Sequence, residues 1–278
     1  MMNTVNIVGL VLALSIIILN LCEIWLLHKE KRKCLYKHLL LSLSVSDLFL
    51  GLSELSSNIA FIAGIHSDSP NYVYMTYFFF LVVSILHLLF ISIDRLYAVA
   101  YPIHHKTHQK EITTKSLIAT SWTVSFVMTG GYVINYFVNS YHIKYTSKTQ
   151  YCDLIIAIIT YILISANVLY IIIYSVIAYL IWSRKVTLYG QDQVKNQIKK
   201  QKRGILLCAC TVLTFIVFTS PFSFSYVQHP KMPEKWTFKV LGANSAVNSI
   251  IFLLQEYIKR KVGPKRVSSD TISNKNAK

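Results

Sequence analysis

Charged residues are scarce in this chain of 278 residues. They make up 14% of the sequence, whereas soluble domains carry about 25%. The charges are also unevenly spread, so that long runs such as 72–93 and 204–227 hold almost none of them. These runs are apolar around their whole circumference rather than along one stripe. That pattern excludes the amphipathic helices of a soluble protein.

Proline and internal repetition are scarce as well. Pro221 is the one proline that falls inside an apolar run, and no segment of the chain repeats another. Transporters are expected to show paired repeats and helices interrupted at matching places. A seven-helix transporter is therefore an alternative that the sequence disfavours. No N-x-S/T glycosylation signal occurs in the sequence.

Seven stretches are long enough to cross a bilayer, which takes about 18 apolar residues or more. They are 5–27, 39–64, 72–98, 116–138, 153–183, 204–227 and 237–257. The second carries many serines together with Asp47 and Glu54, and such polarity is tolerated only on a helix that faces a protein interior. The sequence predicts an all-α membrane protein built as a bundle of seven transmembrane helices.

The basic residues indicate how this bundle is oriented. With the N-terminus outside and the C-terminus inside, 23 of the 28 lysines and arginines fall in the inner loops and tail, as the positive-inside rule requires. The net charge of +16 is thus explained by topology and by attraction to anionic lipid, without nucleic acid. Under this topology Cys152 is the one outer cysteine, so no extracellular disulfide forms within the chain.

We expect residues 1–263 to form the transmembrane domain with a short cytoplasmic helix, and 264–278 to be a disordered cytoplasmic tail. The first apolar stretch is too long for a cleavable signal peptide and is predicted to be a signal anchor.

Polar residues on three helices lie at similar depths in the membrane. At about 1.5 Å per residue, Asp47 and Ser84 lie roughly 14–16 Å from the inner face, and Asn244 and Asn248 share one face of the last helix. A carboxylate with amide and hydroxyl partners can hold a hydrated Na⁺, or Asp47 can carry a proton. The alternative is a hydrogen-bonded network with no ion.

The run SILHLLFISIDRLYAVAYPI, residues 84–103, resembles the third helix and second inner loop of rhodopsin-like G-protein-coupled receptors. Asp94-Arg95-Leu96 stands for the D-R-Y motif of that family, and Asn248-Ser249-Ile250-Ile251-Phe252 stands where the family has N-P-x-x-Y. Further marks of the family follow in order along the chain: Asn20, Asp47, Trp122, Tyr174, Phe215 and Pro221. Around His87 and Asp94 the sequence is similar to trace-amine and other amine receptors.

The resemblance implies a function and the residues that perform it. The chain would be a multi-pass receptor of the plasma membrane, not an enzyme, that passes binding of an extracellular small-molecule, lipid or peptide ligand to a heterotrimeric G protein. G-protein coupling and activation would involve Asp94, Arg95, Pro102, Ile103, Tyr174, Phe215, Pro221, Asn248 and Phe252. The sodium pocket would comprise Asp47, Ser84, Asn244 and Asn248, with Na⁺ as an allosteric ion and no other cofactor. Ser42, His87 and Trp122 would form a structural network between helices two, three and four.

Several positions depart from the family pattern. Leu96 replaces the usual tyrosine, Thr219 the usual tryptophan, and Ser249 and Phe252 alter the helix-seven motif. Helix five has Ala166 in place of its proline, and the cysteine expected near residue 70 is missing; melanocortin-like receptors share these two absences. These departures mark a divergent, orphan-type member and leave open a receptor-fold protein that has lost coupling.

The ligand pocket is expected in the outer third of the bundle, between helices two, three, six and seven. Its predicted residues are Glu54, Tyr77, Phe78, Leu81, Phe222, Tyr226 and Phe238, an aromatic and mostly neutral set that suits a lipid or a small aromatic ligand. Tyr77 replaces the aspartate that binds amines in the amine receptors. Glu54 lies about 24 Å above the inner face, where an acid is a functional candidate. It either anchors a cationic ligand group or is paired or hydrated internally, whereas Glu23 is expected near the inner surface.

A zinc hydrolase of seven helices is a further alternative. It would need several histidines and acids that converge inside the membrane. Only His87 lies deep, while His104, His105 and His108 fall in the second inner loop. These loop histidines are better explained as solvated side chains than as metal ligands.

Overall fold

The computed structural model describes residues 4–29, 35–63, 70–101, 104–105, 111–142, 148–187, 192–228 and 235–262. Seven α-helices occupy these ranges: α1 (Thr4–Lys29), α2 (Leu35–Ile62), α3 (Pro70–Ala100), α4 (Glu111–His142), α5 (Lys148–Thr187), α6 (Asp192–Gln228) and α7 (Lys235–Val262). The predicted all-helical fold with seven helices is confirmed.

Four of these helices are long and apolar enough to cross a membrane, among the residues that the structure describes. The spans are Ile7–Lys29, Lys37–Ala60, Met75–Ala100 and Thr160–Ser183, and α6 contributes a shorter apolar stretch, Ile205–Pro221. They correspond to predicted spans one, two, three, five and six. The predicted spans in α4 and α7 are not among those found within the part of the chain that the structure describes.

The helices form a closed bundle with α3 at its centre. α3 contacts α2, α4, α5 and α6, while α1 packs between α2 and α7, and α6 joins α5 to α7. Gly51 allows the close approach of α1 and α2, since a β-carbon there would lie 2.8 Å from Cγ2 of Ile16. Small residues at such contacts are typical of helix packing in membranes.

Many large apolar side chains of this bundle are exposed and many polar ones are buried, which is the reverse of the pattern in a soluble protein. Large apolar side chains point outward, and Phe126, Tyr161 and Trp182 are each about 70% exposed. Asn20, His87 and other polar side chains are fully buried. Such polar groups are costly in hydrocarbon, so facing the bundle interior is where they can be hydrogen-bonded.

The helices extend beyond the predicted spans. α5 begins at Lys148 and α6 at Asp192, while α7 begins at Lys235 and continues unbroken to Val262. The last turns thus continue α7 to near the end of the predicted transmembrane domain, 1–263, and the short cytoplasmic helix stays a prediction. Hydropathy marks only the part of a helix that lies in lipid, whereas lysine, glutamate and glutamine continue a helix readily in water. The predicted tail, 264–278, and the side chain of Cys152 lie outside the described residues.

Candidate functional site

The inner end of α3 carries a cluster of three ionisable side chains. A guanidinium nitrogen of Arg95 contacts the Asp94 carboxylate, and Nε2 of His105 lies 2.8 Å from the other oxygen of that carboxylate. The Asp94 side chain is 3% exposed and that of Arg95 is 17% exposed. The acid thus holds Arg95 on one side and the loop histidine on the other.

This cluster changes the interpretation of the loop histidines. His105 is part-buried and engaged with Asp94, whereas it was expected to be solvated. His104 is exposed, as expected, and its ring contacts the Tyr97 hydroxyl. The described part of the chain contains no group of three or more His, Cys, Asp or Glu side chains arranged to hold a metal ion. Pro102, Ile103 and His108 lie outside the described residues.

Three of the predicted activation residues, one each from α5, α6 and α7, belong to one apolar core or pack against it. Phe215 is fully buried and meets Tyr170 edge to face, with ring centroids 5.7 Å apart. Tyr174 lies against the same apolar core, of which Phe252 is also a member. The Tyr170 hydroxyl donates a hydrogen bond of 2.7 Å to the Ile85 carbonyl and so ties α5 to α3. Tyr170 was missed in the sequence analysis, although a tyrosine deep in an apolar helix needs a hydrogen-bond partner.

The altered position in α6 forms a polar link to α5. The Asn167 amide donates a hydrogen bond of 3.1 Å to the Thr219 hydroxyl, and that hydroxyl also bonds the carbonyl of Phe215, 2.8 Å away. Pro221 lies two residues later, inside the unbroken α6. Asn167 gives no sequence motif of its own and was not predicted as a site residue.

The predicted network between helices two, three and four is confirmed. Nε2 of His87 and Nε1 of Trp122 lie 2.8 Å and 3.0 Å from the Ser42 hydroxyl oxygen. The other ring nitrogen of His87 bonds the Val83 carbonyl at 2.8 Å. His87 is thus a fully bonded structural histidine in the interior of the bundle.

Two of the predicted sodium-pocket residues, Ser84 and Asn248, lie beside Asp47. Ser84 donates a hydrogen bond of 3.1 Å to the carboxylate, and Asn248 lines the same small cavity as Asp47. Asn244 and Asn248 are buried, and their amides have oxygen or nitrogen atoms with no hydrogen bond of normal geometry among the described residues. Buried amide and carboxylate oxygens without full hydrogen bonding fit a hydrated cation. Ser245, next to Asp47 and not predicted, adds a hydroxyl there.

Glu23 is placed differently from the prediction. It was expected to reach the inner surface or to pair with a basic residue, yet it is 4% exposed and lines the cavity that Asp47 also lines. Ser44 and Ser249 lie beside its carboxyl group. The depth of Glu23 along α1 was predictable from the sequence, but the side of the helix on which it lies was not.

The altered helix-seven motif also makes an interhelical bond. Ser249, which stands where the family has proline, donates a hydrogen bond of 2.9 Å to the side-chain oxygen of Asn20 in α1. The Asn20 amide nitrogen in turn bonds the Ile16 carbonyl at 2.9 Å. A serine hydroxyl thus joins α7 to α1 at a position where proline has none.

The outer half of the bundle holds an ion pair whose basic partner was not predicted. Nζ of Lys239 lies 3.2 Å from Oε1 of Glu54, and both side chains are about 90% buried. Asn58 donates to the same oxygen at 3.0 Å, and the Tyr77 hydroxyl contacts Oε2. Lys239 lies within the seventh predicted span and was counted among the outer basic residues; from α7 it reaches the acid on α2. Of the two alternatives stated for Glu54, the structure shows the internally paired carboxylate.

This outer cluster packs closely against α1. A β-carbon on Gly9 would collide with Nζ of Lys239 and lie 2.5 Å from Oδ1 of Asn58. Among the other predicted pocket residues, Phe78 is buried and Leu81 is partly buried. The side chains of Phe222, Tyr226 and Phe238 lie outside the described residues.

Comparison with known proteins identifies the family. Residues 7–254 match the family described as "7 transmembrane receptor (rhodopsin family)", and the chain belongs to that family. It is also 44% identical, over 52 residues, to a protein of Homo sapiens described as "Putative trace amine-associated receptor 3". That similarity spans 19% of this chain and 15% of the human protein. The chain is thus a multi-pass membrane protein of a receptor family.

Proposed function

We propose that the chain is a G-protein-coupled receptor of the plasma membrane, with its N-terminus outside, that passes binding of an extracellular ligand to a heterotrimeric G protein. The observation that carries this proposal is the clamp at the inner end of α3. Asp94 holds Arg95 there, and His105 occupies the remaining carboxylate oxygen. Arg95 is thus a cationic side chain that is paired with Asp94 at the inner face, and it becomes available to a cytoplasmic partner when this pair opens.

The signal consists of a shift between two populations of the bundle. In the clamped state, Phe215 fills the core between α5 and α6, and Thr219 is bonded to Asn167. An outward movement of the inner half of α6, which Pro221 permits by removing one backbone donor, exposes Arg95 to the C-terminal segment of a G protein. Tyr174 and Phe252 then repack, while Pro102 and Ile103 contact the G protein from the second inner loop.

Two bound species shift this equilibrium, an extracellular ligand and Na⁺. An extracellular small molecule, lipid or peptide acts on the outer pocket around Glu54, Tyr77, Phe78 and Leu81. Na⁺ held by Asp47, Ser84, Asn244 and Asn248 favours the clamped state, because its oxygen ligands come from three helices that must separate or rotate for activation. Anionic lipid faces the basic inner surface, and nucleic acid is not a partner.

The first experiment compares basal G-protein activation in cells by the wild type and by Arg95→Ala, at matched surface expression and across G-protein subtypes. Asp94→Asn removes the acid that holds Arg95. A decrease of about 1 kcal/mol in the stability of the clamped state relative to the open state raises the open population about fivefold. Lys115→Ala is the matched control, since it removes a cation from the exposed surface of α4.

We expect Asp94→Asn to activate more than the wild type, Arg95→Ala to be silent and Lys115→Ala to equal the wild type. A signal that survives Arg95→Ala contradicts the proposed role of Arg95. Silence of the wild type and Asp94→Asn with every G protein contradicts coupling itself and supports a receptor-fold protein without it.

A further inference from the structure

Two buried acids face one small cavity in the inner half of the bundle. Glu23 of α1 and Asp47 of α2 are 4% and 2% exposed, and both line this cavity between α1, α2, α6 and α7. Ser44, Thr211 and Asn248 also line it. The wall therefore brings together carboxyl, hydroxyl and amide oxygens, which are the ligands of hard cations.

No positive side chain balances these two acids inside the cavity. None of the described residues that line it is a lysine, an arginine or a histidine. Two carboxylates that share a site of low dielectric repel each other, and each also loses its hydration. The hydroxyl and amide groups beside the two acids supply hydrogen bonds but no positive charge, and a cation in the cavity would supply it.

Asn248 points independently to a bound species. Its side chain is 7% exposed and lines the cavity. The amide approaches Asp47, yet neither its oxygen nor its nitrogen makes a hydrogen bond of normal geometry with any described group. Buried amides in folded proteins are nearly always satisfied, so a ligand in the cavity accounts for the oxygen that Asn248 presents.

We propose that this cavity binds one divalent cation that prefers oxygen ligands, held by the carboxylates of Glu23 and Asp47 and by the amide oxygen of Asn248. A monovalent ion would balance one carboxylate only, whereas a divalent ion neutralises both. The cation would join α1 to α2 and α7. The inference extends the Na⁺ pocket of the proposed receptor by a second acid from α1 and rests on the same Asp47.

The test measures cation binding on the purified full chain, without a G protein. Thermal unfolding is followed by tryptophan fluorescence in chelator-treated protein, with CaCl₂, MnCl₂ or NaCl at ionic strength held constant by choline chloride. The variants are Glu23→Gln, Asp47→Asn and Glu54→Gln, the last being the same change at a buried acid outside the cavity. The number of Mn²⁺ ions bound by the wild type is counted by electron paramagnetic resonance.

We expect one Mn²⁺ per chain, displaced by Ca²⁺, and a rise in Tm of about 5 °C when the cation is present at 100 times its Kd. Glu23→Gln should weaken the divalent response at least about tenfold while retaining a response to Na⁺. Asp47→Asn should lose both responses, and Glu54→Gln should keep both. If Glu23→Gln does not fold, Glu23→Asp supplies the comparison, with the carboxylate kept and divalent binding retained.

Three results would overturn the proposal. The first is the absence of bound Mn²⁺ in the wild type. The second is a divalent response of Glu23→Gln equal to that of the wild type. The third is a wild-type protein that is stabilised by Na⁺ or by acid but not by a divalent cation. The last would mean that the two acids share a proton. Each of these outcomes leaves the Arg95 test untouched, so failure of the cation site and failure of G-protein coupling are distinguishable.

Discussion

Breaking the outer ion pair should destabilise the bundle by different amounts, depending on whether Glu54 or Lys239 is replaced. In Glu54→Gln, Lys239 loses its carboxylate partner and is left with neutral oxygens, namely the amide oxygen of the new glutamine and the side-chain oxygen of Asn58, 3.5 Å away. In Lys239→Met, Glu54 keeps the Asn58 amide and the Tyr77 hydroxyl. Removing one partner of a buried pair costs about 3–5 kcal/mol. We place Glu54→Gln near 3 kcal/mol, and Lys239→Met near 2 kcal/mol because two donors remain on the acid.

The double variant isolates the interaction between the two residues. Glu54→Gln with Lys239→Met leaves no unpaired charge, so we expect a loss of about 2 kcal/mol rather than the additive 5 kcal/mol, a coupling of about 3 kcal/mol. At roughly 2 °C per kcal/mol for a chain of this size, the two single variants should lower Tm by about 6 °C and 4 °C.

Thermal unfolding of purified protein in detergent measures these shifts. Ser56→Ala is the control, because this exposed hydroxyl of α2 bonds only the Ser53 carbonyl of its own helix; its Tm should equal that of the wild type. Additive losses in the double variant would refute the pairing of Glu54 with Lys239. Lys239→Met more damaging than Glu54→Gln would refute the argument from the remaining partners.

Two further variants test hydrogen bonds between helices. Ser42→Ala leaves His87 and Trp122 without their shared oxygen, and we expect a loss of about 1–3 kcal/mol in unfolding free energy with a shift in Trp122 fluorescence; an unchanged Tm would contradict the network. Thr219→Val keeps the shape but removes the bond to Asn167, so we expect a loss of about 1 kcal/mol and increased basal signalling. Thr219→Ser should behave as the wild type, and equal effects of the two substitutions would contradict the role of the hydroxyl.

The fold was predictable because the bilayer imposes simple rules on a sequence. A span needs about 20 apolar residues and must satisfy its own backbone, and therefore the seven helices could be located from hydropathy and motif order. The Ser42–His87–Trp122 network was predictable for a related reason. Its members are polar groups at fixed family positions, and each needs a partner inside hydrocarbon.

The charge pairings could not be predicted in the same way. Position along a helix gives the depth of a side chain, but the partner depends on how each helix is rotated and on which neighbour it meets. Lys239 was counted among the outer basic residues, yet its ammonium reaches Glu54 across the bundle. Glu23 was expected near the inner surface by its depth, yet α1 turns it toward Asp47. In both cases a charged residue was expected to lie near water, whereas the structure gives it a neighbouring charged residue inside the bundle.

The departures from the family pattern have a common physical character. Thr219 and Ser249 each place a hydroxyl where the family has a tryptophan or a proline, and each hydroxyl bonds an asparagine on a neighbouring helix. A hydrogen bond between helices is directional and is lost after a small displacement, whereas an aromatic contact can slide and repack. Movement of α6 or α7 in this chain must therefore break a polar bond in addition to rearranging apolar contacts. In hydrocarbon such a bond contributes about 0.6 kcal/mol and at most about 2 kcal/mol. That cost is small enough for a ligand to overcome, so the substitutions are compatible with a working switch.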